Sequence, residues 1–230
     1  MIFTLKLDKN AGTHSLINFR ESLPAANKAW PICFLALNIL VFTGVTYSVL
    51  GGSPSFMSWI NTHRESLLTL YGGLVLTLIV GNLVNWRLKS VLVFWSWSTP
   101  LPVAEVFKRY LPDRQGGKLE ARGSCIDSLP SNPAEQEDFW FRIYSQHKAH
   151  PAVIEMRDHF LLAQELTWLS FVLLIFFGMG LITTGVLAID TLIYAAFLIL
   201  QYITASTVAR SSGKRFLGNV LAVAETHKIA

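Results

Sequence analysis

The sequence predicts an all-α integral membrane protein with four transmembrane helices, arranged as two hairpins with a helical cytoplasmic segment between spans two and three. Three observations predict this class. Hydrophobic residues make up 52% of the 230 residues. Charged residues make up 15%, against about 25% in an ordinary soluble domain. The apolar residues are also gathered into long runs, which is the pattern of membrane spans.

Four of these runs are long enough to cross a bilayer, which takes about 20 residues. None of the four carries a charged residue in its interior. Four buried core helices of a soluble protein are the alternative, but such helices seldom come together without interior charge. The predicted spans are 30–50, 67–86, 166–187 and 191–209.

The basic residues predict the orientation of the spans. Eighteen of the nineteen Lys and Arg residues lie in the N-terminal arm, the middle segment or the C-terminal tail, and only Arg64 lies in an outer loop. The positive-inside rule therefore places both termini and the middle segment in the cytoplasm. The predicted divisions are an arm (1–29), a first hairpin (30–86), a cytoplasmic segment (87–165), a second hairpin (166–209) and a tail (210–230).

The start of the cytoplasmic segment is open to two interpretations. The apolar stretch 91–97 either continues span two as a long helix or lies in the membrane interface. Pro100 and Pro102 should end it, because each removes a backbone N–H and restricts the residue before it. A short amphipathic helix is expected next, within 102–111.

Two further cytoplasmic helices are predicted. Asn132 is a suitable N-cap and Pro133 a suitable first residue for a helix over 134–147. A second helix should begin near Pro151 and continue into span three, because no helix breaker separates them. Such a helix could transmit a displacement from the cytoplasm to the membrane. The tail carries an apolar stripe at 216–224, which predicts a short helix on the inner leaflet or against the cytoplasmic helices.

Histidine and carboxylate residues near the junction of these helices are candidate metal ligands. Imidazole and carboxylate groups bind zinc, and two of the residues share a helix face at i, i+4. Their spacing matches no zinc signature, and solvated side chains at a helix corner are the favoured explanation. We therefore predict no metal site, and name as the weak candidates His147, His150, Glu155 and His159.

The cytoplasmic helices are also expected to bind a partner protein or a small signal, through Arg142, His147, His150 and Arg157. Nucleic acid is not an expected partner, because segment 87–165 carries ten basic and ten acidic residues and so lacks a basic excess. The chain has no phosphate-binding loop, dinucleotide fingerprint or nucleophile elbow, so we predict no cofactor. An enzyme built from dispersed residues, with Cys125 as one of them, stays open.

Small residues recur every four positions in span two, at Gly73, Thr77 and Gly81. This spacing lets helix backbones approach closely, or lines a pore in an oligomer. Polar residues in spans one and four, Asn38, Gln201 and Thr204, should face other helices or a water-filled path. Hydrogen bonds between packed helices are the expected outcome. The spans contain no ionisable relay, which disfavours a proton-coupled transporter.

This layout of four spans, cytoplasmic termini and a compact helical segment resembles the small multi-span membrane effectors of bacterial antiviral and abortive-infection systems. The resemblance implies a homo-oligomer in the bacterial inner membrane. Its cytoplasmic helices would recognise a signal or partner, and its spans would then change membrane permeability. Two other hypotheses stay open: a membrane anchor or immunity subunit that docks a separate protein, and a membrane-bound enzyme that uses the middle segment.

Overall fold

The structure, a computed structural model, describes residues 24, 27–49, 55–62, 64, 72, 81, 84–97, 101–110, 132–184 and 189–229. These residues form helices and short connections, and none of them lies in a strand. The predicted all-helical class is therefore confirmed over this part of the chain. The helices are α1 (Ala29–Val49), α2 (Phe56–Thr62), α3 (Trp86–Phe94), α4 (Val103–Tyr110), α5 (Pro133–His147), α6 (Pro151–Thr184) and α7 (Ile189–Ile229).

The described residues divide into two compact units. The first unit holds 96–97, 101–110, 132–157 and 213–229, and the second holds the residues from 24 to 95 and from 158 to 212. Helices α6 and α7 therefore contribute residues to both units, whereas each of the other helices belongs to one.

The core of the first unit is built around Trp140 of α5. Its ring stacks on Tyr144, with the ring centres 5.3 Å apart, and meets Phe216 of α7 edge-on at 5.5 Å. The indole N–H of Trp140 donates to the backbone O of Leu217 at 3.3 Å. Large rings supply much of the buried apolar area of a core, so this cluster fixes α5 against the C-terminal part of α7.

Helices α4 and α5 form where the sequence predicts them. α4 buries its predicted apolar face, including Val106 and Phe107. The ring of Phe107 lies 6.2 Å from the ring of Phe139 on α5. In the first turn of α5, the backbone N–H of Gln136 donates to the backbone O of Asn132 at 3.0 Å.

The apolar stripe of the tail lies on α7 and not on a separate short helix. α7 continues without a break for 41 residues. Five residues of the stripe are buried in the first unit: Phe216, Leu217, Val220, Leu221 and Ala224. Asn219, on the same part of α7, donates to the backbone O of Ala152 at 2.8 Å. The stripe therefore packs against other helices, which was one of its two predicted positions.

The predicted continuous helix from Pro151 is confirmed as α6, which has 34 residues. The backbone O of His150 accepts hydrogen bonds from the N–H groups of Val153 and Ile154, both at 3.0 Å, and so starts the helix. No proline or glycine occurs between 152 and 177. At 1.5 Å per residue, α6 is about 51 Å long.

The second unit is organised by a seam between α1, α6 and α7. Its buried apolar cluster contains Leu35 of α1, Leu173 and Phe177 of α6, and Tyr194 and Leu198 of α7. Side chains of α1 at helical spacing pack against this cluster, which follows from burial of one face of α1.

Helix α3 decides between the alternatives for 91–97. Asn85 has an extended backbone, and its Oδ1 accepts a hydrogen bond from the N–H of Arg87 at 3.2 Å, as an N-cap does. A new helix therefore starts at Trp86, so continuation of span two as one unbroken helix through this point is wrong. α3 ends at Trp95, which has a left-handed backbone, so the helix stops before either proline.

Helices α6 and α7 are each long and apolar enough to cross a membrane, over 151–177 and 192–226. α1 is helical across most of the first predicted span. Most of the second predicted span lies outside the described residues. The four-span arrangement therefore stays a prediction.

Candidate functional site: a polar network around helix α3

Helix α3 is held in the second unit by polar side chains of α6 and α7. It has nine residues, and a helix this short is not stable by itself in water. Its own Lys89 and Ser90 are buried. We call the whole set the α3 network: Lys89, Ser90, Trp95, Gln164, Glu165, Tyr202, Ser206 and Arg210.

An ion pair joins the ammonium group of Lys89 to the carboxylate of Glu165 on α6. Lys89 is only 6% exposed, and an unpaired ammonium group would be costly to bury. Glu165 is partly exposed. The pair therefore neutralises a charge that α3 carries into the interior, and it determines which face of α3 meets α6.

Gln164 makes two further hydrogen bonds from α6 to α3. Its Nε2 donates to Ser90 Oγ at 2.9 Å and to the backbone O of Trp86 at 3.3 Å. Both Gln164 and Ser90 are buried, so each supplies the hydrogen bond that water would otherwise supply. Neighbouring residues of α6 thus contact neighbouring residues of α3, which fixes the register of the two helices.

Three polar residues spaced by four along α7 bind the C-terminal end of α3. Tyr202 OH donates to the backbone O of Leu92 at 3.0 Å. Ser206 Oγ and Arg210 Nε both donate to the backbone O of Val93, at 3.2 Å and 2.6 Å. The last carbonyls of a helix have no partner within that helix. Because residues at i, i+4 and i+8 share a face, α7 presents one stripe that caps α3.

Trp95 ends α3 in the left-handed region, with φ 56° and ψ 31°, a conformation that costs a non-glycine residue about 1–2 kcal/mol. Its backbone N–H donates to the backbone O of Val91 at 2.7 Å, and its indole N–H donates to Tyr202 OH at 3.1 Å. The Arg210 guanidinium lies 3.9 Å from the centre of the ring. A cation–π contact contributes about 0.5–2 kcal/mol, so α7 offsets the backbone strain.

The α3 network holds a helix in place with its side chains. Its hydroxyl, amide and charged groups bond backbone carbonyls or one another, and it includes no histidine or cysteine. Among the residues that the structure describes, no group of three or more His, Cys, Asp and Glu side chains lies close enough to hold a metal. The geometry offers a fixed connection between α3, α6 and α7.

The four weak metal candidates are not gathered into one site. His147 and His150 are half-buried, whereas Glu155 and His159 are exposed. His147 Nδ1 lies 3.1 Å from the backbone O of Ile143, one turn earlier in α5. The first three candidates belong to the first unit and His159 to the second.

The predicted partner surface differs in accessibility from residue to residue. Arg142 is exposed, and its guanidinium carbon lies 5.7 Å from the centre of the Phe139 ring. His147, His150 and Arg157 are half-buried. Arg142 is therefore the member of the set that a partner could most readily reach.

Of the three small residues predicted for helix packing, Gly81 is the one that the structure describes. It is helical and buried. A Cβ built on Gly81 would lie 2.8 Å from Trp168 Nε1 and 3.3 Å from Trp168 Cδ1, closer than side chains tolerate. The absence of a side chain therefore lets α6 approach. Gly73 and Thr77 lie outside the described residues.

The polar residues predicted within spans one and four have different surroundings. Thr204 is exposed, and its Oγ1 donates to the backbone O of Leu200 at 2.8 Å, within its own helix. Asn38 is buried, and its Nδ2 donates to the backbone O of Phe34 at 2.9 Å. The buried Oδ1 of Asn38 and both buried amide atoms of Gln201 have no hydrogen-bond partner among the described residues. Among the described residues, none of these three side chains makes the expected hydrogen bond to another helix.

Sequence reasoning did not single out the α3 network, although two signals were present. Glu165 and Arg210 directly flank predicted spans three and four, and Lys89 follows span two by three positions. Charged residues at the cytoplasmic ends of different spans are expected to lie at a similar depth relative to the membrane surface. The spacing of four between Tyr202, Ser206 and Arg210 is the second signal. Neither signal identifies α3 as the common partner.

No protein-family model, curated protein or solved structure matches this chain.

Proposed function

We propose that this chain is an integral protein of the bacterial inner membrane and that its second unit lies in the bilayer. The distribution of exposed large apolar side chains carries this proposal. Of nineteen such residues in the described part of the chain, eighteen belong to the second unit and only Trp97 belongs to the first. Water-exposed surfaces rarely carry so many apolar groups together, whereas lipid tails are as apolar as leucine.

The distribution of polar and apolar side chains on the part of α6 within the second unit also supports a position in the lipid bilayer. Gln164, Thr167 and Ser170 are buried, whereas Ile175 and Phe176 are exposed. The hydroxyls of Thr167 and Ser170 each donate to a backbone O one turn earlier, at 2.8 Å. Polar groups inside and apolar groups outside suit a helix in lipid, where each polar group must be satisfied internally.

The proposed topology has four spans with both termini in the cytoplasm. α6 and α7 are about 51 Å and about 62 Å long, and both exceed the hydrocarbon core of about 30 Å. Each would therefore extend beyond the bilayer. The excess of Lys and Arg in the termini and the middle segment supports a cytoplasmic position for those parts.

In this membrane setting, we propose a non-enzymatic, homo-oligomeric effector that alters membrane permeability, as in bacterial antiviral defence. α6 and α7 each pass from one unit to the other without a helix break, at 157–158 and 212–213. A continuous helix transmits a displacement that a flexible linker would absorb. A partner protein or small signal would bind the first unit at the surface that includes Arg142, His147, His150 and Arg157.

Expression in bacterial cells loaded with a potential-sensitive dye tests this function. We expect the membrane potential to fall under strong induction, with the protein retained in membranes after alkaline carbonate extraction. Cells that keep their potential would contradict the effector role, and a stoichiometric partner purified with the protein would then favour a docking subunit. Release by carbonate would contradict membrane insertion.

A further inference from the structure

Three aromatic rings meet in the seam between α1, α6 and α7. The rings of Phe42 and Phe177 stack with their centres 4.1 Å apart and their planes 15° apart. Tyr194 lies 5.8 Å from Phe42 and 5.9 Å from Phe177. We call these three residues the aromatic cluster. They close the seam with side chains from all three helices.

Ring contacts also establish the register of the seam. Phe177 meets Tyr194, and six residues earlier on α6, Phe171 meets Tyr202 with ring centres 5.8 Å apart. α6 and α7 are therefore antiparallel, and Ser170 lies at about the level of Gln201. This level is about 10 Å along α6 from the aromatic cluster, at 1.5 Å per residue.

Asn38 lies on the same side of the aromatic cluster as Gln201. On α1 it falls between Phe42, in the aromatic cluster, and Leu35, which packs with Leu173 and Leu198. It is one helical turn from Phe42, or about 6 Å. Asn38 and Gln201 thus lie on the same side of the aromatic cluster, about 6 Å and about 10 Å from it along their helices.

Three amide atoms of Asn38 and Gln201 lack a hydrogen-bond partner among the described residues. Asn38 is 4% exposed, yet its Oδ1 has no hydrogen-bond partner among the described residues, and neither do the two amide atoms of Gln201. A buried polar group without a partner costs about 1–3 kcal/mol. The hydroxyl of Tyr194, in the aromatic cluster, is a further buried polar atom without a hydrogen-bond partner among the described residues. Buried atoms of this kind along one seam favour a ligand that hydrogen-bonds to them, because packing alone does not offset the free-energy cost.

We propose that water binds along the seam at Asn38 and Gln201, and that the stacked apolar rings of Phe42 and Phe177 are the barrier that ends this hydrated segment. A buried water molecule typically makes two to four hydrogen bonds, which carbonyl and amide groups of both residues can supply. Apolar constrictions block permeation by excluding water. This inference rests on the proposed position of the second unit in the bilayer.

Cysteine accessibility tests the hydrated segment, because a thiol reacts as the thiolate, which forms only in water. Both native cysteines, Cys33 and Cys125, are first replaced by serine. N38C and Q201C are then compared with the controls L40C and L200C, whose native side chains are 70% and 63% exposed and would face lipid. The probe is a small cationic methanethiosulfonate applied to the cytoplasmic face of membrane vesicles.

We expect N38C and Q201C to react at least about tenfold faster than the lipid-facing controls. Equal slow reaction of all four variants would overturn the hydrated seam and leave membrane insertion intact. Equal fast reaction of all four would instead contradict membrane insertion. Because N38C and Q201C are separate proteins, failure of one to fold leaves the other as a test.

The barrier is tested by adding the same probe from the outer face. With the aromatic cluster intact, N38C should react from the cytoplasmic face alone. Adding F42A, which removes a half-buried ring, should let the outer probe reach the thiol and raise that rate by at least about tenfold. Reaction from both faces before F42A is added, or no change after it, would overturn the assignment of the barrier.

Discussion

Lys89 and Glu165 are 76 positions apart in the chain and form an ion pair in the second unit, with Lys89 buried. A second Lys–Glu pair, Lys214 with Glu105, lies in the first unit and has exposed side chains on both partners. The two pairs share their chemistry and differ in access to water. They therefore separate the effect of burial from the effect of charge.

The buried pair should matter more to stability than the exposed pair. Breaking a buried pair costs about 3–5 kcal/mol, and the partial exposure of Glu165 lowers our expectation for K89M to about 2 kcal/mol. K214M should cost less than about 1 kcal/mol. The double variant K89M/E165L should recover much of the loss, because no unpaired charge remains. Thermal unfolding in detergent measures all three, and equal losses for K89M and K214M would contradict the burial of Lys89.

Replacement of Trp95 by glycine should destabilise the protein less than replacement by alanine. Both W95A and W95G lose the contact with Arg210, but only W95A keeps the strain of a left-handed backbone. We expect W95G to be more stable than W95A by about 1 kcal/mol. Leu88, within α3, provides the control: there L88G should be less stable than L88A by a similar amount. If the alanine variant were more stable than the glycine variant at both positions, the left-handed backbone at the end of α3 would be contradicted.

Gly81 should not tolerate a methyl group. G81A places a Cβ against the Trp168 indole, and overpacking of this kind costs about 1–3 kcal/mol. G44A is the control, since no described atom lies within 4 Å of a Cβ built on Gly44. The smaller ring in W168F should relieve the clash, so G81A/W168F should lose less than the sum of the single variants. Additive losses would show that the two residues do not compete for space.

Mechanical continuity of α6 should be needed for the proposed effect on membrane potential. D158G/H159G introduces a flexible joint into the helix, whereas D158A/H159A removes the same side chains and keeps a strong helix former. We expect the glycine variant to depolarise cells much less than the alanine variant, with both still in the membrane fraction. Equal depolarisation would contradict transmission through α6. The potential-sensitive dye reports the difference.

Much of the helical structure could be predicted because its signals are local. α5 follows an N-cap and a proline at Asn132 and Pro133, and α6 lacks any breaker before Phe177. The start of α3 at Trp86 was missed because Asn85 sits inside an apolar and basic context that also fits a continuing helix. Its capping bond to Arg87 distinguishes the two, and a bond of this kind is visible only in three dimensions.

The sequence by itself determined the helical class, the apolar runs, the one-sided distribution of basic residues and the unbroken α6, since each depends on residues that are neighbours in the chain. Only the tertiary structure decided that Lys89 meets Glu165 and that Arg210 caps α3. It also showed that Asn38 Oδ1 and the amide atoms of Gln201 are buried without a hydrogen-bond partner among the described residues. These relationships depend on which distant side chains meet when helices pack. Spacing along one helix shows which residues share a face, but it does not show what that face contacts.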